Sequence, residues 1–215
     1  IGRGAGRKMI ALISDMNQPL GRAVGNALEV REAIEVLHGG GPADLRAHCL
    51  TVAGHMLRLA GVGREPALAD VTPLLEEKLQ SREALARFRE LVELQGGAVS
   101  MVDAPELLPQ ASIIEEISAE RNAYLARVSA RAVGRASVIL GAGRQKKGDT
   151  IDHAVGIIVH HKVGGHVKAG QPLFTVHANS LERLAEAREM LAHAVAWSDT
   201  PVKPLPLFYE VLEAL

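Results

Sequence analysis

The 215 residues carry 24 Lys+Arg against 25 Asp+Glu, a formal net charge of −1, and are 47% hydrophobic. That balance excludes the basic footprint of a nucleic-acid binder, and the hydrophobic share excludes a disordered chain. A single cysteine, Cys49, leaves no internal disulfide, and no apolar run approaches the ~18 residues of a membrane span. The composition therefore points to a reducing, cytoplasmic setting, with neither nucleic acid nor membrane as partner.

Residues 2–8 are rich in glycine but lack the spacing of a phosphate-binding loop, and no strand precedes them. They read as a turn, and with Ile1 in front they suggest the end of a preceding element, so the expectation is a C-terminal fragment of a longer protein. Residues 9–13 are a short apolar run that reads as a buried strand. The loop Ser14-Asp15-Met16-Asn17-Gln18-Pro19-Leu20-Gly21 follows, and then a helix. Strand, irregular loop and capped helix is a common place for an α/β enzyme to put a site. Asn26 reads as the N-cap, with Glu29 three residues on as in a capping box. The helix runs to Leu37 and stops at Gly39-Gly40-Gly41, with Ala27, Val30, Ile34 and Leu37 as one apolar stripe.

Pro42 opens a second helix whose stripe is Leu45, Cys49, Val52, Met56 and Leu59, which makes Cys49 a core thiol rather than a nucleophile. Leu68, Val71, Leu75 and Leu79 predict a third helix, with Pro73 limiting its first turns. Leu85, Phe88, Leu91, Val92 and Gln95 predict a fourth, closed by Gly96-Gly97. The pattern changes near 105–109. Short β-like runs follow at 113–117 and 124–128, and 129–140 fits helix or strand equally. A glycine-rich loop over 141–148 precedes a strand at 154–160. Residues 181–195 read as a surface helix, and the tail holds three prolines between 201 and 206. A strand with several helices, then a β-rich module, gives the fold class α/β (α+β).

Glu32 sits four residues after Leu28 and four before Val36, on a face opposite the main stripe. A carboxylate in an apolar strip either reaches water or finds a cation. From the residues alone the solvated reading is the expectation. Asp15 and Asn17 have two open readings, lining a cleft or capping loop backbone groups. Arg144, Lys146 and Lys147 read as a solvated basic loop rather than an anion site. His153, His160, His161, His166 and His177 lack the cysteine or carboxylate spacing of a metal cluster.

The run Asp15-Met16-Asn17-Gln18-Pro19-Leu20-Gly21, continued by Gly25-Asn26-Ala27-Leu28-Glu29-Val30, resembles the corresponding segment of the pyrimidine-nucleoside and thymidine phosphorylases. The pattern V-G-x-x-V-x-x-G-x-x-L over 163–173 resembles the barrel-sandwich module of biotinyl and lipoyl carriers, and also the C-terminal domain of those phosphorylases. The preceding 149–156 matches the same domain. The resemblance implies that 1–105 is the C-terminal part of a helix-rich, mixed-sheet α/β domain and 106–215 the β-rich, barrel-sandwich-like C-terminal domain. It implies cleavage of thymidine or uridine by phosphate, the co-substrate, to free base and (deoxy)ribose 1-phosphate, in a cytoplasmic homodimer.

It also implies a partial potassium site made of the Leu20 and Ala23 carbonyls and the Glu32 carboxylate. The family's phosphate- and base-binding residues lie upstream of the segment matched here. No catalytic residue is therefore assigned within this chain, which on this reading is inactive by itself. The alternative is a non-catalytic carrier module. Lys162 and Lys168 do not stand in the context of an attachment lysine, and a carrier has no use for the loop at 15–21.

Overall fold

A computed structural model describes residues 2–62 and 68–214. The chain forms two compact units that interleave in sequence: unit 1 is Ile1–Asp15, Ile34–Val102 and Pro206–Leu215, and unit 2 is Met16–Ala33 and Asp103–Leu205. The boundaries run through α1 (Asn26–Leu37) and α5 (Ser100–Asp103). Among the described residues there are seven α-helices and three sheets, every strand pair is antiparallel, and no sheet closes into a barrel. The fold class is α+β.

In unit 1, β1 (Met9–Ser14) pairs with β9 (Phe208–Ala214), from Met9 opposite Ala214 to Ser14 opposite Phe208. The strand at 9–13 is present but not buried. Its residues alternate between exposed and half-buried, because a two-stranded ribbon leaves much of each face uncovered. The prolines before β9 gave no sign of that strand. The unit also holds α2 (Ala43–Leu59), α3 (Leu68–Gln80) and α4 (Glu83–Leu94). α2 packs on α3 and β1, and α3 on α4.

The expected α2 stripe is not a core. Only Gly54 and His55 are buried on that helix, Met56 is 64% exposed, and Cys49 is exposed, so the core-thiol reading is overturned. Partial desolvation still pushes the Cys49 thiol up from its ordinary value, which leaves it a poor nucleophile. Val71 and Leu79 of α3 are buried, the side chain of Leu68 lies outside the described residues, and α4 buries none of its residues.

Unit 2 holds the main core. One sheet runs β2 (Ala23–Gly25), β5 (Gly156–Val159), β7 (Pro172–Ala178), β3 (Ile113–Ser118), and a second runs β6 (His166–Val167), β4 (Ala123–Val128), β8 (Val195–Ser198). The ambiguous stretch is a helix, α6 (Ala130–Leu140), which buries Val133, Ala136, Ser137 and Leu140 at helical spacing. Ser129 caps it by accepting from the Ala132 N–H at 3.2 Å, and Gly141 ends it in the left-handed region at φ 112°.

α7 (Leu181–Ala192) packs on α6 and β7 through Leu184, Ala187 and Leu191. This helix is shorter than the expected 181–195. His193 closes it, and Val195 already belongs to β8, opposite Val128. With Val155, Ile157, Val167, Phe174 and Val176, these side chains form one continuous apolar cluster.

Candidate functional site

The segment from Met16 to Ala33 belongs to unit 2, and its contacts explain its composition. β2 and β5 approach closely where Gly25 faces Gly156. A Cβ on Gly156 would lie 2.5 Å from the Val24 carbonyl oxygen, and one on Gly25 would lie 2.7 Å from that of Val155. Only glycine fits either position.

The start of α1 differs from the expected capping box. Asn26 is the first helical residue, not the cap, and its Nδ2 donates to the Ala142 carbonyl at 2.8 Å. Glu29 still reaches back, accepting from the Gly25 N–H at 2.8 Å. The Ala27 N–H donates to the His153 carbonyl at 3.0 Å. Of the backbone donors at this helix start, the Gly25 N–H is thus met by Glu29 and the Ala27 N–H by the loop before β5, while the Asn26 side chain ties the helix to the loop after α6. Asp152 shapes the second of these loops, accepting from the Ala154 N–H at 3.0 Å and from Asn179 at 2.8 Å.

The expectation that Glu32 is solvated is overturned, for Glu32 is 8% exposed. Its Oε1 accepts from the N–H groups of Arg22 at 2.9 Å and Ala23 at 3.1 Å, and Oε2 accepts from Arg22 at 3.2 Å. Backbone donors of the loop compensate the desolvated charge. Leu28 and Val36 on the same face are buried at 7% each, whereas Val30 of the expected main stripe is exposed. The carboxylate face is therefore buried as well as the opposite stripe, where Ala27 and Ile34 are buried at 4% and 1% and Leu37 is half-buried.

The other wall of the loop comes from residues 159–163. The Val159 N–H donates to the Arg22 carbonyl at 2.8 Å. Gln18 Oε1 accepts from the Val163 N–H at 2.9 Å. The Lys162 ammonium donates to the carbonyls of both Pro19 and Gly21. No local pattern in the sequence marks Lys162 as part of this site, because it lies more than a hundred positions from the residues it binds.

Asp15 and Asn17 take anchoring roles. The Asp15 N–H donates to the Leu207 carbonyl at 3.0 Å, and its Oδ1 accepts from the Tyr209 hydroxyl at 2.8 Å, both within unit 1. In unit 2 the Asn17 carbonyl accepts from the Ala130 N–H at 2.8 Å. Asn17 also lines an open cavity of about 400 Å³ with Met16, Arg127, Arg131 and Leu205. The basic loop folds on Asp149, whose Oδ2 accepts from the Gln145 and Lys146 N–H groups at 3.1 and 3.0 Å. Among the described residues, no three His, Cys, Asp or Glu side chains come together as a metal-holding group. Burial holds His160, His161 and His177 below the ordinary histidine value, and the Nε2 of His160 lies 2.8 Å from the Thr175 hydroxyl.

The three positions that the resemblance gives to potassium fall on this loop and helix. Leu20 is half-buried and Ala23 is buried. The bond between Arg22 and Val159 makes 22 and 159 a hydrogen-bonded pair of the ladder, so the backbone groups of Ala23 face the free edge of the sheet. Glu32 is on that side, and a carboxylate offers about four acceptor sites, more than its three N–H bonds use. An all-oxygen donor set of this kind suits a hard monovalent cation, and the carbonyls engaged by Lys162 are different ones.

A β-rich module whose loops bond the loop at 18–23 and the start of α1 defines an α+β protein. Among the described residues, no helix is long and apolar enough to cross a membrane. A sequence model of the pyrimidine nucleoside phosphorylase C-terminal domain matches residues 124–198. The chain is 43% identical over 210 residues to a pyrimidine-nucleoside phosphorylase of Geobacillus stearothermophilus, covering 98% of this chain and 48% of that protein.

It is 46% identical over 200 residues to the protein of the same name in Staphylococcus haemolyticus, covering 90% of this chain and 46% of the relative. For the Staphylococcus aureus protein of that name the identity is 40% over 213 residues, 99% of this chain and 48% of the relative. The chain spans about half the length of these curated relatives. Its similarity is to the pyrimidine-nucleoside phosphorylases.

Proposed function

We propose that this chain is a structural part of a pyrimidine-nucleoside phosphorylase, a pentosyltransferase that cleaves thymidine or uridine with phosphate to free base and (deoxy)ribose 1-phosphate. The observation that carries this reading is the clamped loop of 16–23 in front of the family's C-terminal domain, within one chain 40–46% identical to proteins of that name. A carrier module would present a lysine to a partner. Here Lys162 is instead engaged by backbone carbonyls.

In this reading residues 1–105 are the C-terminal part of the phosphorylase α/β domain and 106–215 its C-terminal domain. Leu20, Ala23 and Glu32 contribute a partial potassium site, and the phosphate- and base-binding groups are supplied by sequence outside these residues. A cytoplasmic homodimer is the assembly proposed for the whole enzyme. Exposed apolar side chains of unit 1, among them Met9, Ile13, Val211 and Leu212 on the β1–β9 ribbon, support further phosphorylase sequence packing there.

The test is phosphate-dependent release of thymine and uracil from thymidine and uridine, with the intact mass of the protein recorded. The expected result is no turnover at 22.9 kDa and turnover once the chain is extended to the length of its relatives. Turnover by the 215-residue chain alone overturns the proposal that the chemistry resides elsewhere.

A further inference from the structure

Lys162 lies in the turn after β5 and reaches a loop 141 to 143 positions earlier in the chain. Its ammonium donates to the carbonyls of Pro19 and Gly21, both buried residues. Two neutral carbonyl oxygens from positions i and i+2, turned onto one compact positive charge, are the donor arrangement of a monovalent-cation site. Carbonyl dipoles that converge repel one another, and a positive charge between them offsets that repulsion. The flanking bonds, Gln18 with Val163 and Arg22 with Val159, hold the two walls together on either side of the lysine head.

We propose that Lys162 is a tethered monovalent cation for the 18–23 loop: a positioning residue that holds the Pro19 and Gly21 carbonyls together. It thereby presents the Arg22 and Ala23 N–H groups to Glu32. Removing the amine opens a site that takes a free ammonium-class cation. This inference stands apart from the phosphorolysis reading, because its test does not read activity.

The experiment is hydrogen exchange of peptides spanning 16–25, at one pH and one ionic strength, with the 172–178 strand as internal reference for an intact fold. Lys162→Met, which keeps the stem and loses the charge, is expected to raise exchange in 16–25 by about tenfold, the equivalent of one charge-assisted hydrogen bond. Lys162→Arg keeps protection near the original level. In Lys162→Ala, ethylammonium chloride restores protection and choline chloride, which has no N–H donor and is too bulky, does not.

Unchanged protection in Lys162→Met overturns the proposal, since the charge would then be irrelevant. Loss in Lys162→Ala that ethylammonium fails to restore overturns it as well, since stem packing would then be the cause. Should the Met and Ala variants not fold, Lys162→Gln decides in their place: raised exchange supports the tethered cation, and protection equal to that of the unaltered protein refutes it.

Discussion

Glu32 is the residue whose environment differs most from what its neighbours in sequence suggest. Its spacing from Leu28 and Val36 placed it on an apolar face correctly, but periodicity says nothing about which donors that face meets. In the fold it is the acceptor for two loop N–H groups. Glu32→Ala leaves the Ala23 N–H buried and the Arg22 N–H partly buried without this acceptor, and an unsatisfied buried group costs about 1–3 kcal/mol. A loss of about 2–5 kcal/mol is expected from the midpoint of urea unfolding. Glu32→Gln, which retains one carbonyl oxygen, is expected to lose less. Equal stability of Glu32→Ala and the unaltered protein would refute the bonding described. Cys49 makes the complementary point, for it sits at apolar spacing on α2 yet is exposed, because spacing describes a face and not what covers it.

At the scale of elements, the long helices with a consistent 3.6-residue pattern were readable, and their ends less so. α7 stops three residues before the expected limit because Val195 pairs with Val128, a non-local contact. The run 129–140 combined β-branched Val133, Val138 and Ile139 with a helical spacing of small residues, and only packing against α7 decided for helix. β2 has three residues and is defined by its partner β5, so it has no pattern of its own. The Gly25–Gly156 contact is the constraint at that junction. Gly156→Ala would press its Cβ onto the Val24 carbonyl at 2.5 Å and Leu28 Cδ1 at 2.9 Å, forcing β2 away from β5. An expected destabilisation of about 1–3 kcal/mol, the ordinary cost of overpacking, is measured by thermal unfolding. Gly148→Ala, where nothing lies within 4 Å of the added Cβ, carries only the backbone cost of φ 97° and serves as the comparison.

At the scale of the whole molecule, stability has a defined pH dependence. Burial lowers the histidine pKa at His160, His161 and His177 in unit 2, with added opposition from His160 at His161 and from Arg31 at His177. At His160 burial and Arg22 outweigh the opposing pull of Glu116. His55 in unit 1 is lowered by burial and by Arg58, against Glu213. Each folded state therefore binds fewer protons than the unfolded chain between the lowered value and the ordinary one of about 6.5. Stability is fully present above that ordinary value and falls as pH drops through the window beneath it. Urea midpoints measured from pH 7.5 to 5 are expected to fall steadily, and a flat profile would contradict the burial assigned to these rings.

The sequence by itself determined the order of helices and strands wherever hydrophobic period was long enough to read, and the resemblance to the pyrimidine-nucleoside phosphorylases, because the loop at 15–21 and the glycine–valine pattern of 163–173 are written in contiguous residues. Only the resemblance points to Leu20, Ala23 and Glu32 as a partial cation site. The tertiary structure alone decided that Glu32 is buried, that β1 is an exposed ribbon strand paired with the tail, that the two units interleave, and that Lys162 meets Pro19 and Gly21. The reason is physical: local patterns encode which face of an element is apolar, whereas hydrogen-bond partners separated by more than a hundred residues exist only once both walls of the loop have folded.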